Sequence, residues 1–178
     1  MREFNYILIS ENTFSSENPL DIINSNISVV NYLRNSEVGD DELHPDAFAS
    51  YCVDYYLNIL ETEGLAAFIW KSKWDLDLVE IIHAGLTAME AKEHLDYFEK
   101  QMRRVKAFSN IKLKKFFDSE LGKEKETTSL LEDNSFKEIT EDLRALNSSW
   151  LKTHPDLKVV SLEEMQSIIT DFLDSDSE

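Results

Sequence analysis

Apolar residues recur along this chain at intervals of three and four, the period of helices laid against a core. Asn18 followed by Pro19 reads as an N-cap with proline at the first helical position. It opens a helix to about Arg34 with Ile23, Ile27, Val30 and Leu33 facing inward. Pro45 opens the next, with Phe48, Cys52, Tyr55, Tyr56 and Ile59 on one face and Gly64 just past its end, where left-handed backbone commonly stops a helix. LAAFIWKSKW (65–74) predicts a short apolar helix. Asp75 can cap another, with Leu76, Val79, Ile82 and Leu86 inward. Thr87 with Glu90 has the spacing of a capping box. It predicts the start of a long helix whose stripe is Ala91, Leu95, Phe98, Met102 and Val105, the cleanest amphipathic pattern in the chain.

The second half continues in the same way. NIKLKKFFDSELG (110–122) predicts a helix and GKEKETTSLLEDN (122–134) a loop. Ser135 is expected to cap a helix with Phe136, Ile139, Leu143, Leu146 and Trp150 inward. HPDLKVV (154–160) reads as an extended connector. Ser161 with Glu164 forms a second capping box ahead of Leu162, Met165, Ile169 and Phe172. GDDELH (39–44) is a loop, and the tail 175–178 is expected to fray. Only NYILIS (5–10) has the character of a strand, and a lone strand has no partner. The expectation is an all-α fold: one compact helical domain of about eight helices, with C-terminal helices over 109–174.

Composition narrows this little further. Four glycines and three prolines favour long regular elements over turn-rich β structure. The one cysteine, Cys52, excludes an internal disulfide and sits in an apolar stripe, as a small core residue does. No apolar run reaches membrane-spanning length, and MREFNYILIS is a poor signal peptide, so a soluble, cytoplasmic protein without membrane contact is expected.

Charge changes the picture more. The chain carries 35 acids and 18 bases, a net charge of −17. Residues 1–99 hold 19 acids against 5 bases, residues 100–125 hold 3 against 9, and residues 126–178 hold 13 against 4. The basic segment KQMRRVKAFSNIKLKK is expected to pair internally with acidic helices. Direct nucleic-acid binding needs a basic footprint and is disfavoured; a basic protein partner is the natural complement.

Catalytic and metal chemistry is hard to find. Glu80 and His83 have the Glu-x-x-His spacing of di-iron bundles, but no second such pair accompanies them. Glu90 and His94 are four apart, a common coincidence. Phosphate loops, nucleophile elbows and zinc-protease motifs are missing. No catalytic residue, metal ligand or cofactor is assigned. In SYCVDYYLNILETEG (50–64), Tyr51, Asp54, Asn58 and Glu61 form a polar ridge opposite the apolar stripe. Asp54 is expected to bond a tyrosine hydroxyl or a helix end, or to sit on an exposed binding face, rather than act as a catalytic acid.

NPLDIINSNISVVNYL, SYCVDYY and IHAGLTAMEAKEHLDYFE together resemble the bacterial DNA-mimic (DMP-type) proteins over roughly 18–108, and more loosely over LNSSWLKTHPDLKVVSLEEM. Where the family has an Asn-Gly-Gly turn this chain has Thr62-Glu63-Gly64, keeping only the last glycine. The resemblance implies a non-enzymatic, mainly helical protein that presents carboxylates where duplex DNA presents phosphates. It implies candidate acids in four groups: Glu37, Asp40, Asp41, Glu42 and Asp46; Asp54, Glu61 and Glu63; Asp75, Asp77 and Glu80; and Glu93, Asp96 and Glu99. The expected partner is a basic protein, either a DNA-binding protein or, as the alternative, a toxin neutralised in the manner of an immunity protein. A small-molecule enzyme is the third reading. The chain itself is expected to be a monomer or a homodimer.

Overall fold

The strand expected near the N-terminus does have a partner. In the computed structural model, which describes residues 3–121 and 123–175, Ile7–Ser10 (β1) pairs in parallel with Leu157–Val160 (β2), Ile7 facing Leu157 and Ser10 facing Val160. All four residues of β1 are buried, as suits a parallel strand covered on both faces. β2 is the segment expected to be a mere connector. At four residues, including Lys158, it carries no local signal strong enough to name its partner.

Ten α-helices complete the described chain. They are α1 (Glu11–Phe14), α2 (Pro19–Asn35), α3 (Pro45–Glu63), α4 (Leu65–Ser72), α5 (Leu76–Ala88), α6 (Lys92–Lys106), α7 (Asn110–Asp118), α8 (Lys125–Leu131), α9 (Leu143–Lys152) and α10 (Leu162–Asp174). Short 3-10 turns occupy Asp40–Glu42 and Asn134–Glu138. The fold is helical as expected, with ten α-helices rather than about eight and one small sheet.

Several helix starts follow single side chains. Asn18 accepts from the Leu20 N–H at 3.2 Å, Asp75 from Leu78 at 3.0 Å and Ser161 from Glu164 at 3.1 Å. Gly64, at φ +88°, ends α3 by donating to the carbonyls of Ile59 and Leu60.

Other expectations are corrected. Thr87 and Glu90 form no capping box: the Thr87 hydroxyl donates to the His83 carbonyl, and Glu90, at φ +56°, is part of the break between α5 and α6. Asp133 and Asp142, not Ser135, cap the elements after α8, so the helix expected from Ser135 is a 3-10 turn followed by α9. The loop expected over 122–134 contains α8. Leu76 and Leu162, expected inward, are 68% and 62% exposed in the first turns of α5 and α10. The frayed tail expected over 175–178 lies, beyond Ser175, outside the described residues.

By compactness the chain divides into two units, Met1–Tyr51 with Asp142–Glu178, and Cys52–Glu141. In the first, α2 packs on α9 and on β1, and α10 packs on β1. Ile7, Ile9, Ile22, Ile23, Leu33 and Leu151 are almost wholly buried in it. Two buried polar links hold α3 there: Asn26 Nδ2 donates to the Ala47 carbonyl at 2.8 Å, and Ser50 Oγ donates to Asn147 Oδ1 at 2.8 Å. In the second unit, Tyr56 stands edge-on to Phe68 and Phe98, each ring centroid 5.2 Å away, and Trp74 flanks both phenylalanines. α6 buries His94, Tyr97, Phe98, Gln101 and Val105. Leu95 and Met102 of the expected stripe are only half-buried, because Tyr97 and Gln101 turn to the loop at Asp133.

Candidate functional site

The turn between α2 and α3 carries four of the candidate acids, with Asp46 following in the first turn of α3, and they are not equivalent. Asp40 takes a two-pronged contact from Arg34, at 2.7 and 3.4 Å, and Glu42 accepts from the Gly39 N–H at 2.9 Å. Both therefore hold the turn together. Glu37, at φ +64°, and Asp41 are exposed and make no ion pair among the described residues.

Asp46 belongs to a different arrangement. The tripeptide His-Pro-Asp occurs twice, at 44–46 and 154–156, and the two copies face each other. His154 Nε2 lies 2.8 Å from Asp46, and His44 Nε2 lies 3.3 Å from Asp156. Within each copy the aspartate N–H donates to its own histidine Nδ1 at 3.2 Å. The rings meet edge-on, centroids 5.3 Å apart. Nδ1 thus accepts in both histidines, which leaves the proton on Nε2, aimed at the opposite carboxylate.

The donor atoms of His44, His154 and Asp156 lie within 4.8 Å of one another, a spacing that could admit a divalent ion. Coordination through Nε2 would move each ring proton to Nδ1, against a backbone N–H. The hydrogen bonding therefore fits a proton-mediated clasp and does not fit a metal. Sequence reading passed over this cluster, although the repeated tripeptide was its signal.

In the second unit Asp54 does not sit on an exposed binding face, the second of the two places expected for it. It is 8% exposed, and its carboxylate accepts from Asn58 Nδ2 at 2.6 Å, one helical turn on. α3 is covered on more than one side here, so its polar ridge is not all surface. Of that ridge only Asn58 and Glu61 are exposed. Glu63 pairs with Lys71, and Asp75 caps α5. Glu93 accepts the N–H groups of Thr140, at 2.7 Å, and Glu141, while Glu141 accepts those of Glu93 and His94. The Thr140 and Glu141 donors hold the Glu93 carboxyl below its ordinary pKa. Glu99 meets His83 at 3.1 Å and Arg103 at 3.6 Å, so His83 turns to α6 and not to Glu80. Asp77, Glu80 and Asp96 are exposed, without an ion pair among the described residues.

The basic segment pairs internally, as expected. Asp133 is its centre: Lys100 lies 2.8 Å away, Gln101 Nε2 3.0 Å, Arg104 Nη1 3.2 Å and the Ser135 N–H 2.9 Å. Burial raises the Asp133 pKa, but the bonds from Lys100, Ser135 and Gln101 outweigh it and hold the carboxyl well below its usual range. Lys115 pairs with Glu124, Lys112 with Glu126 and Lys123 with Glu120. Apart from Glu99, these acids lie downstream of the segment, outside the candidate groups. The exposed carboxylates of α5 and Asp96 are left without compensation from it.

His94 is buried on α6, with Glu141, Glu61 and Glu93 around it. Burial lowers its pKa despite the three carboxylates. Tyr56, also buried, has its phenol pushed up by desolvation and then by Tyr97. No helix of the described residues is long and apolar enough to cross a membrane.

No curated protein and no solved structure matches this chain. A family model described as DMP19-like protein matches residues 41–154, from the acidic turn before α3 to the histidine that holds Asp46. That span covers most of the chain and shares residues 41–108 with the motifs that suggested the kinship. The chain therefore belongs to the DMP19-like family.

Proposed function

We propose that this protein works without making or breaking bonds, as an acidic protein-binding protein whose carboxylates occupy the DNA-binding surface of a basic protein. The observation that carries the reading is the separation of roles among its acids. Those that cap helices or meet cations are structural. Glu37, Asp41, Asp77, Glu80 and Asp96 are exposed, while Lys100, Arg103, Arg104, Lys112 and Lys115 of the basic segment are engaged by Glu99, Glu124, Glu126 and Asp133. Asp77 and Glu80 are three residues apart on α5, which sets helix side chains about 5–6 Å apart. Phosphates along a DNA strand repeat at a comparable scale, about 3.4 Å of rise per nucleotide. Arginines and lysines placed for DNA could therefore engage such a pair, with counterions released on binding.

The test uses a DNA-binding protein captured on this chain from a native lysate, then purified with its fluorescent duplex. Adding the chain should displace the duplex, and its affinity should fall steeply with salt. Reversing Asp77, Glu80 and Asp96 to lysine should weaken binding by about tenfold or more, a change of about 1.4 kcal/mol. Affinity that stays flat across salt, or duplex and chain bound together, would show that electrostatic mimicry is not the mechanism.

A further inference from the structure

A second surface lies wholly outside the family-matched span. α2 and α10 flank a half-open groove of about 720 Å³, which Ser10 and Thr13 also line. Its walls step along both helices one turn at a time: Ser25, Val29 and Tyr32 on α2, and Leu162, Met165 and Ile169 on α10. Val29 and Ile169 are buried at its base, whereas Tyr32 and Leu162 stand 55% and 62% exposed at its edges. The lining is mainly apolar, and from Asp21 to Tyr32 it extends about 16 Å along α2 at 1.5 Å per residue. α2 and α10 both pack on β1 and leave between them a gap floored by Val29 and Ile169, able to accept the apolar stripe of another helix about three turns long.

The charges around it select the kind of helix. The groove is lined by one carboxylate, Asp21, which accepts from Ser16 and Asn18, and by no cation. On α10, Glu163, Gln166, Thr170 and Asp174 follow one another at spacings of three, four and four. The middle two line the groove, so an acid stands at each end of that rim. α10 contains no lysine or arginine, and the one base of α2, Arg34, is held by Asp40. The unit as a whole carries 17 acids and 5 bases. A second copy docking through this same face would bring acid against acid. We infer that the α2–α10 groove docks a basic amphipathic helix of a partner protein, apolar stripe inward and lysines or arginines toward Asp21, Glu163 and Asp174.

The probe is a labelled peptide of about 14 residues, roughly four helical turns, built from leucine and lysine with all leucines on one face. Two controls accompany it: the same residues shuffled so that no apolar face forms, and the counterpart with glutamate for lysine. Binding to the full chain is followed by fluorescence anisotropy. The amphipathic basic peptide should bind one to one, and each control about tenfold or more weaker. Ser28→Arg and Gln166→Arg, at exposed groove positions, should each weaken it by a similar factor while thermal melting shows the chain still folded. Reversing Asp77, Glu80 and Asp96 should change it by less than about threefold, so that this docking and the mimicry proposed above stand or fall separately. The inference is overturned if the shuffled or acidic peptide binds equally well, or if the groove variants bind like the parent. It is also overturned if sedimentation finds a dimer that Ser28→Arg dissociates, which would make the groove a self-interface, or if a small apolar dye binds there that the peptide cannot displace.

Discussion

His154 holds Asp46 through its Nε2 at 2.8 Å, across 108 residues of chain, while His44 reaches back to Asp156 at 3.3 Å. Each histidine thereby fixes the helix or turn that carries the other. His44 also accepts from the Asp46 N–H at the start of α3, so one ring serves as helix cap and as cross-link.

Breaking this clasp should be felt as stability. His154→Ala should lower the unfolding free energy by about 1–3 kcal/mol, because a part-buried, charge-assisted hydrogen bond is lost. In a double-mutant cycle with Asp46→Asn the second change should cost much less than it does alone. Additive losses in urea denaturation would mean the two side chains are not coupled. Since both Nδ1 atoms already accept, adding zinc should leave the melting temperature unmoved.

Asp133 should be the most sensitive acid in the second unit. Asp133→Ala removes the shared acceptor of Lys100, Gln101 and Arg104 and the cap of the following 3-10 turn. A loss of about 2–4 kcal/mol is expected. Its folded-state pKa is depressed, so its contribution is present above the ordinary carboxylate range and is lost as pH falls through it. Stability of parent and variant, compared by urea denaturation, should therefore converge in acid.

His94 should make the protein sensitive to mild acid. Its folded-state pKa lies below the ordinary histidine value, so both states are neutral at high pH, and below about 6.5 the unfolded chain takes up the proton more readily. Stability should then fall as pH drops from about 7 to 5, the three neighbouring glutamates moderating the effect but not reversing it. His94→Leu should lose that slope. Parallel stability curves for parent and variant over this range would contradict the assignment.

Gly64 should resist substitution. Its φ of +88° is left-handed territory, and a Cβ there would meet the Glu132 carboxylate at 3.2 Å. Gly64→Ala is expected to cost about 1–2 kcal/mol in thermal or urea unfolding, and Gly64→Val more.

Local signals explain what could be read from the chain beforehand. Asn18, Asp75 and Ser161 cap their helices because capping depends on one side chain and the next turn. Cys52 is buried where its stripe placed it. What escaped reading depends on distant residues. β1 looked solitary because its partner is four unremarkable residues near the other end of the sequence. For Asp54 the sequence leaves a structural bond and an exposed face both open, because nothing local announces that a helix is covered on a second side. The α6 stripe is rotated because Asp133, far downstream, draws in Gln101 and Arg104. Among the acids, sequence could find the clusters but could not separate Asp40, bound to Arg34, from Asp41 beside it.

The pairing of β1 with β2 also sets an order of events on the ribosome. Residues 3–51 emerge first, yet their sheet and their α9 contacts wait for a segment beyond residue 142, while Cys52–Glu141 is already complete as a contiguous stretch. Chains grow at about 5–20 residues per second, so the early segment is held open for several seconds before its partners arrive. During that interval its buried isoleucines are uncovered, and the nascent protein is at its most dependent on chaperones.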